Sequence, residues 1–183
     1  MKLIEESLAR ASRIKLMVFD VDGVLTDGSL YFTDAGSETK VFHARDGLGM
    51  RMLKDAGITL AIITGRNAEC VNWRMKNLGI KHVYQGIGDK LSTFQKLLDE
   101  VGVVPNEAGF MGDDLIDLQV MAACGFSAAP ADGHDLSRQY ADYVTNKLGG
   151  HGAVREVCDF ILAAQGKLND AIAPYLPAAG NRA

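Results

Sequence analysis

The stretch VFDVDGVLTDG places three aspartates, Asp20, Asp22 and Asp27, directly after an apolar run. Charge at the end of a buried strand is costly unless something there uses it. Further along come ITGR, with Thr64, Gly65 and Arg66; GDK, with Lys90; and GDDLID, with Asp113, Asp114 and Asp117. Asp20 and Asp113 together offer hard oxygen ligands of the kind Mg²⁺ accepts, with waters and phosphate completing its shell. A phosphate monoester is repelled by bare carboxylates. A metal ion, the Lys90 ammonium and the donors at Thr64–Gly65 would offset that repulsion. Asp20 could then attack phosphorus and form an aspartyl-phosphate. Asp22, two residues on, would lie beside it if the chain leaves the strand in a tight loop at Gly23. There it could protonate a leaving alkoxide and later deprotonate the hydrolytic water. Each group alone has an ordinary reading: a capped turn, an N-cap, a solvated lysine. Their order, each at an expected strand end, favours a single site.

These residues need a scaffold that brings four distant segments to one edge. KLMVF, ITLAII, KHVYQ, AGFMG, FSAAP and YVT read as strands, mostly continuous apolar runs. Between them NAECVNWRMKNLG, KLSTFQKLLDEVG and DLIDLQVMAACG read as helices, as do DGLGMRMLKDAG and the closing GAVREVCDFILAAQGKL. Asp46 is the candidate N-cap of the DGLG helix and Gly57 its stop. Leu3, Ile4, Leu8 and Ala11 at helical spacing open the chain with an amphipathic helix. The alternation predicts an α/β fold: a Rossmann-like parallel sheet with helices on both faces. Ligands in such sheets sit beyond the C-terminal strand ends, where the polar groups fall.

The segment SLYFTDAGSETKVFHA interrupts the alternation as a β-hairpin, about 28–44. Leu30 and Phe32 face one side of its first strand and Tyr31 the other; Val41 and Phe42 do the same on the second. A ribbon apolar on both faces is unstable alone. Burial against further copies of the chain in a closed oligomer is therefore expected, with the hairpin helping to complete a neighbour's pocket. There is no room for a large cap domain. Residues 1–168 read as one domain and 169–183, rich in Ala, Pro and Gly, as a flexible tail.

The chain has 183 residues and a net charge of −4, which leaves no basic footprint for nucleic acid. No stretch is long and apolar enough for a membrane span. Three well-separated cysteines, Cys70, Cys124 and Cys158, argue against a disulfide framework or zinc site and for a reducing, cytoplasmic setting.

The ordered motifs DVDGVLTDG, ITGR, GDK and GDDLID resemble those of the haloacid dehalogenase-like phosphatases. The resemblance implies Asp20 as nucleophile, Asp22 as acid/base, Thr64 as the motif-two hydroxyl, Lys90 as the motif-three lysine and Asp113 as the metal carboxylate. It also places the Asp22 carbonyl on Mg²⁺. Longer stretches, RDGLGMRML, YQGIGDK, GDDLIDLQVM, ADYVT and GAVREVCDFILAAQGKL, are similar to a branch that removes the 8-phosphate from an eight-carbon acidic sugar in lipopolysaccharide precursor synthesis. For that branch the resemblance implies substrate contacts at Asp22, His43, Arg45, Asp46, Gly47, Arg51, Gly65, Arg66, Arg74 and Lys90, and a homotetramer. Arg45, Arg51, Arg66, Arg74 and Lys90 also supply the local positive charge that an acidic chain needs for an anionic ligand. Relatives often carry an arginine where this chain has His151 in GGHG, a position that is cationic here only when the histidine is protonated. A nine-carbon sialic-acid-type sugar phosphate would suit the same motifs. A phospho-receiver signalling domain uses a similar acidic set on an α/β sheet, but lacks an acid/base two residues after its phosphorylated aspartate.

Overall fold

The computed structural model describes residues 2–177. In chain order the strands are β1 (Leu16–Phe19), β2 (Tyr31–Phe32), β3 (Glu38–Thr39), β4 (Thr59–Ile63), β5 (His82–Tyr84), β6 (Ala108–Met111), β7 (Phe126–Ala129) and β8 (Tyr143–Val144). The helices are α1 (Lys2–Ala11), α2 (Ala44–Asp55), α3 (Glu69–Leu78), α4 (Lys90–Val101), α5 (Leu118–Ala123), α6 (Asp135–Tyr140), α7 (Ala153–Ala164) and α8 (Leu168–Ile172). Six strands form one sheet in the order β5-β4-β1-β6-β7-β8, and every pairing in it is parallel.

β1 is buried throughout because both faces of the sheet are covered. Its side chains alternate between two cores. Met17 and Phe19 join the cluster built with α2, α3 and α7. Leu16 and Val18 join the one built with α4 and α5. On α7, Val154, Val157, Cys158, Ile161 and Leu162 are buried and recur at helical spacing, so one stripe of the helix lies on the sheet.

From β1 the chain builds outward through β4 to β5, then crosses to the other side of β1 for β6, β7 and β8. Neighbouring connections thus diverge between β1 and β6, which opens a crevice at their C-terminal ends. Phe19 is in register with Ile62 on one side and Met111 on the other. Asp20, Thr64 and Asp113 therefore emerge at nearly one level.

Three sequence expectations change. Helix α2 starts at Ala44, with His43 as its N-cap residue, so Asp46 lies inside the first turn and does not cap it. The hairpin is shorter than its apolar pattern suggests, with only two pairs, Tyr31 with Thr39 and Phe32 with Glu38. Phe42 falls outside it and packs against the core of its own domain, with Arg74 over its ring. The segment after Leu168, expected as a flexible tail, forms α8 and a 3-10 turn at Ala173–Tyr175. Leu168, Ala171 and Ile172 pack on the core, and Lys167 donates to the Ala56 carbonyl. The rest of that expected tail, beyond residue 177, lies outside the described residues.

Candidate active site

Asp20 sits one residue past β1, its amide donating to the Met111 carbonyl of β6 at 3.0 Å. Its Oδ1 accepts from the Val21 amide at 2.7 Å and its Oδ2 from Lys90 Nζ at 2.7 Å. Lys90 opens α4, where Asp89 caps the helix by accepting from the Ser92 amide. The same ammonium donates to Asp117 Oδ1 at 2.7 Å. Both carboxylates and the lysine side chain are buried.

Asp117 Oδ2 in turn accepts from the amides of Asp113 and Asp114, at 3.0 and 3.2 Å. Both oxygens of Asp117 are thus committed to fixing Lys90 and the loop after β6. Asp114 caps the short 3-10 turn that follows. Of the acidic triplet only Asp113 keeps a carboxylate that takes no hydrogen bond from the described residues. The motif-one loop lies directly against it. A Cβ added at Gly23 would come within 2.0 Å of Asp113 Oδ2, and Gly23 has φ +79°. The position demands glycine twice over, for the backbone conformation and for the approach.

Asp20, Asp113 and Asp117 can bring one ligand atom each within 4.8 Å of one another, and one ammonium faces the three. Burial, then the charge of Asp117, raises the Asp20 carboxyl to about 6 against the pull of Lys90. Burial, then the charges of Asp20, Asp117 and Asp114, raises Asp113 to about 8. Such a cluster is short of positive charge and fits a hard divalent cation, which would reverse both effects. Asp20 and Asp113 are the residues able to hold one; Asp117 serves as their brace.

Asp22 lies opposite a second network. Lys40, whose side chain is 1% exposed, contacts Asp22 Oδ1 at 2.5 Å and Glu38 Oε1 at 2.5 Å. Burial opposes the lysine's charge, but these two partners outweigh it and raise its pKa. Glu38 also binds the Arg66 guanidinium, with Nη2 3.1 Å from Oε2, and Arg66 lies over the Phe32 ring. Arg66, expected as a free ligand cation, is therefore engaged by the hairpin. Asp22 Oδ2 is buried and takes no hydrogen bond from the described residues.

Thr64 is buried; its amide donates to the Tyr84 carbonyl and its own carbonyl accepts from the Ile87 amide. Gly65 next to it is exposed. The remaining predicted contacts spread along α2 and α3. Asp46 is 1% exposed; its Oδ1 accepts from the Arg155 amide at the start of α7, so it ties two helices together, while its buried Oδ2 takes no hydrogen bond from the described residues. His43 faces it at 3.9 Å. Gly47 is buried, and the space a side chain would need is taken by Arg74, whose Nη2 would be 2.1 Å from an added Cβ. Arg74 donates to the His43 carbonyl, and burial, then the charge of Arg51, lowers its pKa. Arg45 and Arg51 are exposed; Arg45 borders a small concavity with Lys147, His151 and Arg155. His151 itself contacts the Gly149 carbonyl at 2.8 Å.

The structure thus gathers Asp20, Lys90 and Asp113, ties the Asp22 carboxylate to Lys40, and buries Asp46 and Gly47 against neighbouring helices. The sequence reading left undefined the supporting role of Asp117, which is fixed by Lys90 and two backbone amides, and missed Lys40 and Glu38. One signal for the last two was available: residues two apart on a strand share a face, so the E-T-K of the hairpin aims two opposite charges the same way.

Residues 82–157 match the model of a haloacid dehalogenase-like hydrolase family. The chain is 50% identical over 164 residues to 3-deoxy-D-manno-octulosonate 8-phosphate phosphatase of Escherichia coli strain K12, covering 90% of this chain and 87% of that protein. Its fold is similar to the crystal structure of the Moraxella catarrhalis phosphatase of the same name, in complex with magnesium, phosphate and KDO. The TM-score is 0.92 at 44% identity, covering 94% of this chain and 99% of that one. The cobalt-bound form of the Haemophilus influenzae phosphatase aligns with a TM-score of 0.85 at 42% identity, over 87% of this chain and 94% of that one.

Proposed function

The chain belongs to the 3-deoxy-D-manno-octulosonate 8-phosphate phosphatases among the haloacid dehalogenase-like hydrolases, and from that premise we infer what its own residues do. It is a phosphoric monoester hydrolase. It uses Mg²⁺ to release phosphate and the free eight-carbon sugar acid from the 8-phosphate, a step of lipopolysaccharide precursor synthesis. The observation that carries the mechanistic reading is the Asp20–Lys90–Asp117 chain beside Asp113, at the crevice between β1 and β6.

Asp20, Asp113 and the Asp22 carbonyl would hold the ion. When bound it supplies the positive charge that lets a carboxylate approach a phosphoryl group. An oxygen of Asp20 attacks phosphorus and the bond from phosphorus to the sugar oxygen breaks, leaving an aspartyl-phosphate. Asp22 gives its proton to the departing alkoxide. In the second half Asp22 takes a proton from a water that attacks the same phosphorus, which frees phosphate and restores Asp20. Lys90 holds Asp20 in place and offsets part of the local negative charge. We take the Thr64 hydroxyl and the Gly65 amide, which follow β4 beside the end of β1, to donate to phosphoryl oxygens.

For the sugar acid, Arg51 and Arg74 form a cationic pair near His43, and Arg45 borders a concavity with Lys147, His151 and Arg155. They suit the carboxylate and hydroxyls of the substrate. We also propose assembly as a homotetramer through the hairpin. Leu30, Tyr31, Phe32 and Val41 are between 46% and 64% exposed, a contiguous apolar stretch of the kind that marks an interface. Phe42 is not part of that surface. A cytoplasmic location accords with three free cysteines, and among the described residues no helix is long and apolar enough to cross a membrane.

A substrate panel tests the reading. With Mg²⁺ the purified protein should turn over 3-deoxy-D-manno-octulosonate 8-phosphate faster than a nine-carbon sialic-acid-type phosphate, and EDTA should stop it. Preference for the nine-carbon sugar, or full turnover in EDTA, would overturn it.

A further inference from the structure

Lys40 has no role in the scheme above, yet it is the most deeply enclosed charge of the hairpin region, with a side chain 1% exposed. It stands just past β3, where its Nζ bridges Asp22 Oδ1 and Glu38 Oε1. Glu38 passes the contact on to Arg66. Asp22, Lys40, Glu38 and Arg66 thus alternate in sign along one chain, so the network balances its own charge. A buried lysine between carboxylates is a poor way to hold a hairpin down, because desolvation consumes most of the attraction. Phe42, packed on the core, anchors the end of this segment at no such cost.

What the bridge does is distinguish the two oxygens of Asp22. An ammonium has donors only, so the oxygen facing it accepts, and a carbonyl oxygen accepts better than a hydroxyl, which favours the proton on the other oxygen. That leaves Oδ2, which is buried and takes no hydrogen bond from the described residues. A proton on Asp22 is thereby directed to one atom, away from Lys40.

We infer that Lys40 is the positioning residue for Asp22: through its contact with Oδ1 it fixes the carboxyl and assigns proton transfer to Oδ2. Glu38 holds Lys40 in that place from the opposite side, so the hairpin carries part of the proton-transfer machinery. The inference rests on Asp22 being the acid/base, as proposed above.

The test compares 3-deoxy-D-manno-octulosonate 8-phosphate, whose alkoxide needs a proton to leave, with p-nitrophenyl phosphate, whose phenolate does not. Lys40→Met should lower kcat for the sugar phosphate by ~10- to 100-fold, the scale of a misplaced reacting group. For p-nitrophenyl phosphate it should lose less than about 3-fold, against the ~10²–10⁴-fold worth of the acid itself. In an Asp22→Asn background the same substitution should add almost nothing, because the group it positions is gone. Lys40→Arg keeps charge and bulk; it should fold, as checked by thermal melting, and show a smaller loss confined again to the sugar phosphate. Equal losses on both substrates, or additive losses with Asp22→Asn, would make Lys40 a structural staple and overturn the inference. If Lys40→Met does not fold, Lys40→Arg alone decides by the same substrate comparison. Should Asp22→Asn itself show no dependence on the leaving group, the acid/base assignment is what fails. A loss in Asp22→Asn without one in Lys40→Met rejects the role of Lys40 alone.

Discussion

Metal-free protein should lose stability as the pH rises from 5 to 8.5, and Mg²⁺ should restore it. The carboxyls of Asp20 and Asp113 are raised from 3.8 to about 6 and about 8. A raised acid binds its proton more tightly in the folded chain than in the unfolded one. Its stabilising contribution is therefore complete below pH ~4 and is lost as the pH passes the folded value. For Asp113 alone the ceiling is about 6 kcal/mol at 1.36 kcal/mol per pH step. Water entry and relaxation around a partly exposed group reduce this to about 3 kcal/mol. In a domain of this size that corresponds to a fall in Tm of roughly 6–12 °C. The assay is calorimetry in EDTA between pH 5 and 8.5, on wild type and on Asp113→Asn. The variant removes the repelling charge, so in EDTA it should lose much less over the window and should melt above wild type at pH 8.5. Excess Mg²⁺ should raise the wild-type Tm more at pH 8.5 than at pH 5, with ~100-fold excess over Kd adding about 2.7 kcal/mol, and should do little for the variant. Parallel pH profiles for the two proteins in EDTA, or a Mg²⁺ increment independent of pH, would refute the crowded-carboxylate argument.

Other consequences follow from the same geometry. Asp20→Asn should abolish turnover of sugar and aryl phosphates alike while keeping the wild-type circular dichroism spectrum. Asp22→Ala should cost ~10²–10⁴-fold on the sugar phosphate and far less on p-nitrophenyl phosphate. Gly23→Ala should lower Mg²⁺ affinity, measured by titration calorimetry, because the new methyl would occupy the space of the Asp113 carboxylate. Leu30→Glu with Phe32→Glu should dissociate the oligomer in light scattering and raise KM for the sugar phosphate; a wild-type monomer at micromolar concentration with full activity would reject the assembly proposal.

The parallel sheet was legible because its strands are unbroken apolar runs, and LMVF, LAII, GFM and FSAA each occupy the expected place. Asp20, Lys90 and Asp113 were legible for a related reason: strand ends in such a sheet converge, so motif order predicts proximity. What sequence could not give is partnership between side chains. Asp117 sits four residues from Asp113 and reads as one more acid. Only the turn of the chain shows that both its oxygens are spent on Lys90 and two backbone amides. Asp46 looked available because it is charged, yet an amide of α7 engages its Oδ1 in a buried helix contact that no local pattern announces. Phe42 continued the hairpin's apolar alternation, but the ladder ends before it and the core takes it in. The Ala- and Pro-rich segment after Leu168 held enough apolar residues at helical spacing, Leu168, Ala171 and Ile172, to dock as α8. Composition alone had hidden that.

The most direct measurement of the central claim is to trap the covalent intermediate. The enzyme is mixed with 3-deoxy-D-manno-octulosonate 8-phosphate and Mg²⁺, quenched within milliseconds and treated with borohydride, which reduces an aspartyl-phosphate to homoserine. The peptides are then sequenced by mass spectrometry. Homoserine should appear at position 20 and nowhere else, and only when both substrate and Mg²⁺ were present. Homoserine at position 22 or 113, or rapid turnover with Asp20 unmodified at every quench time, would contradict the account.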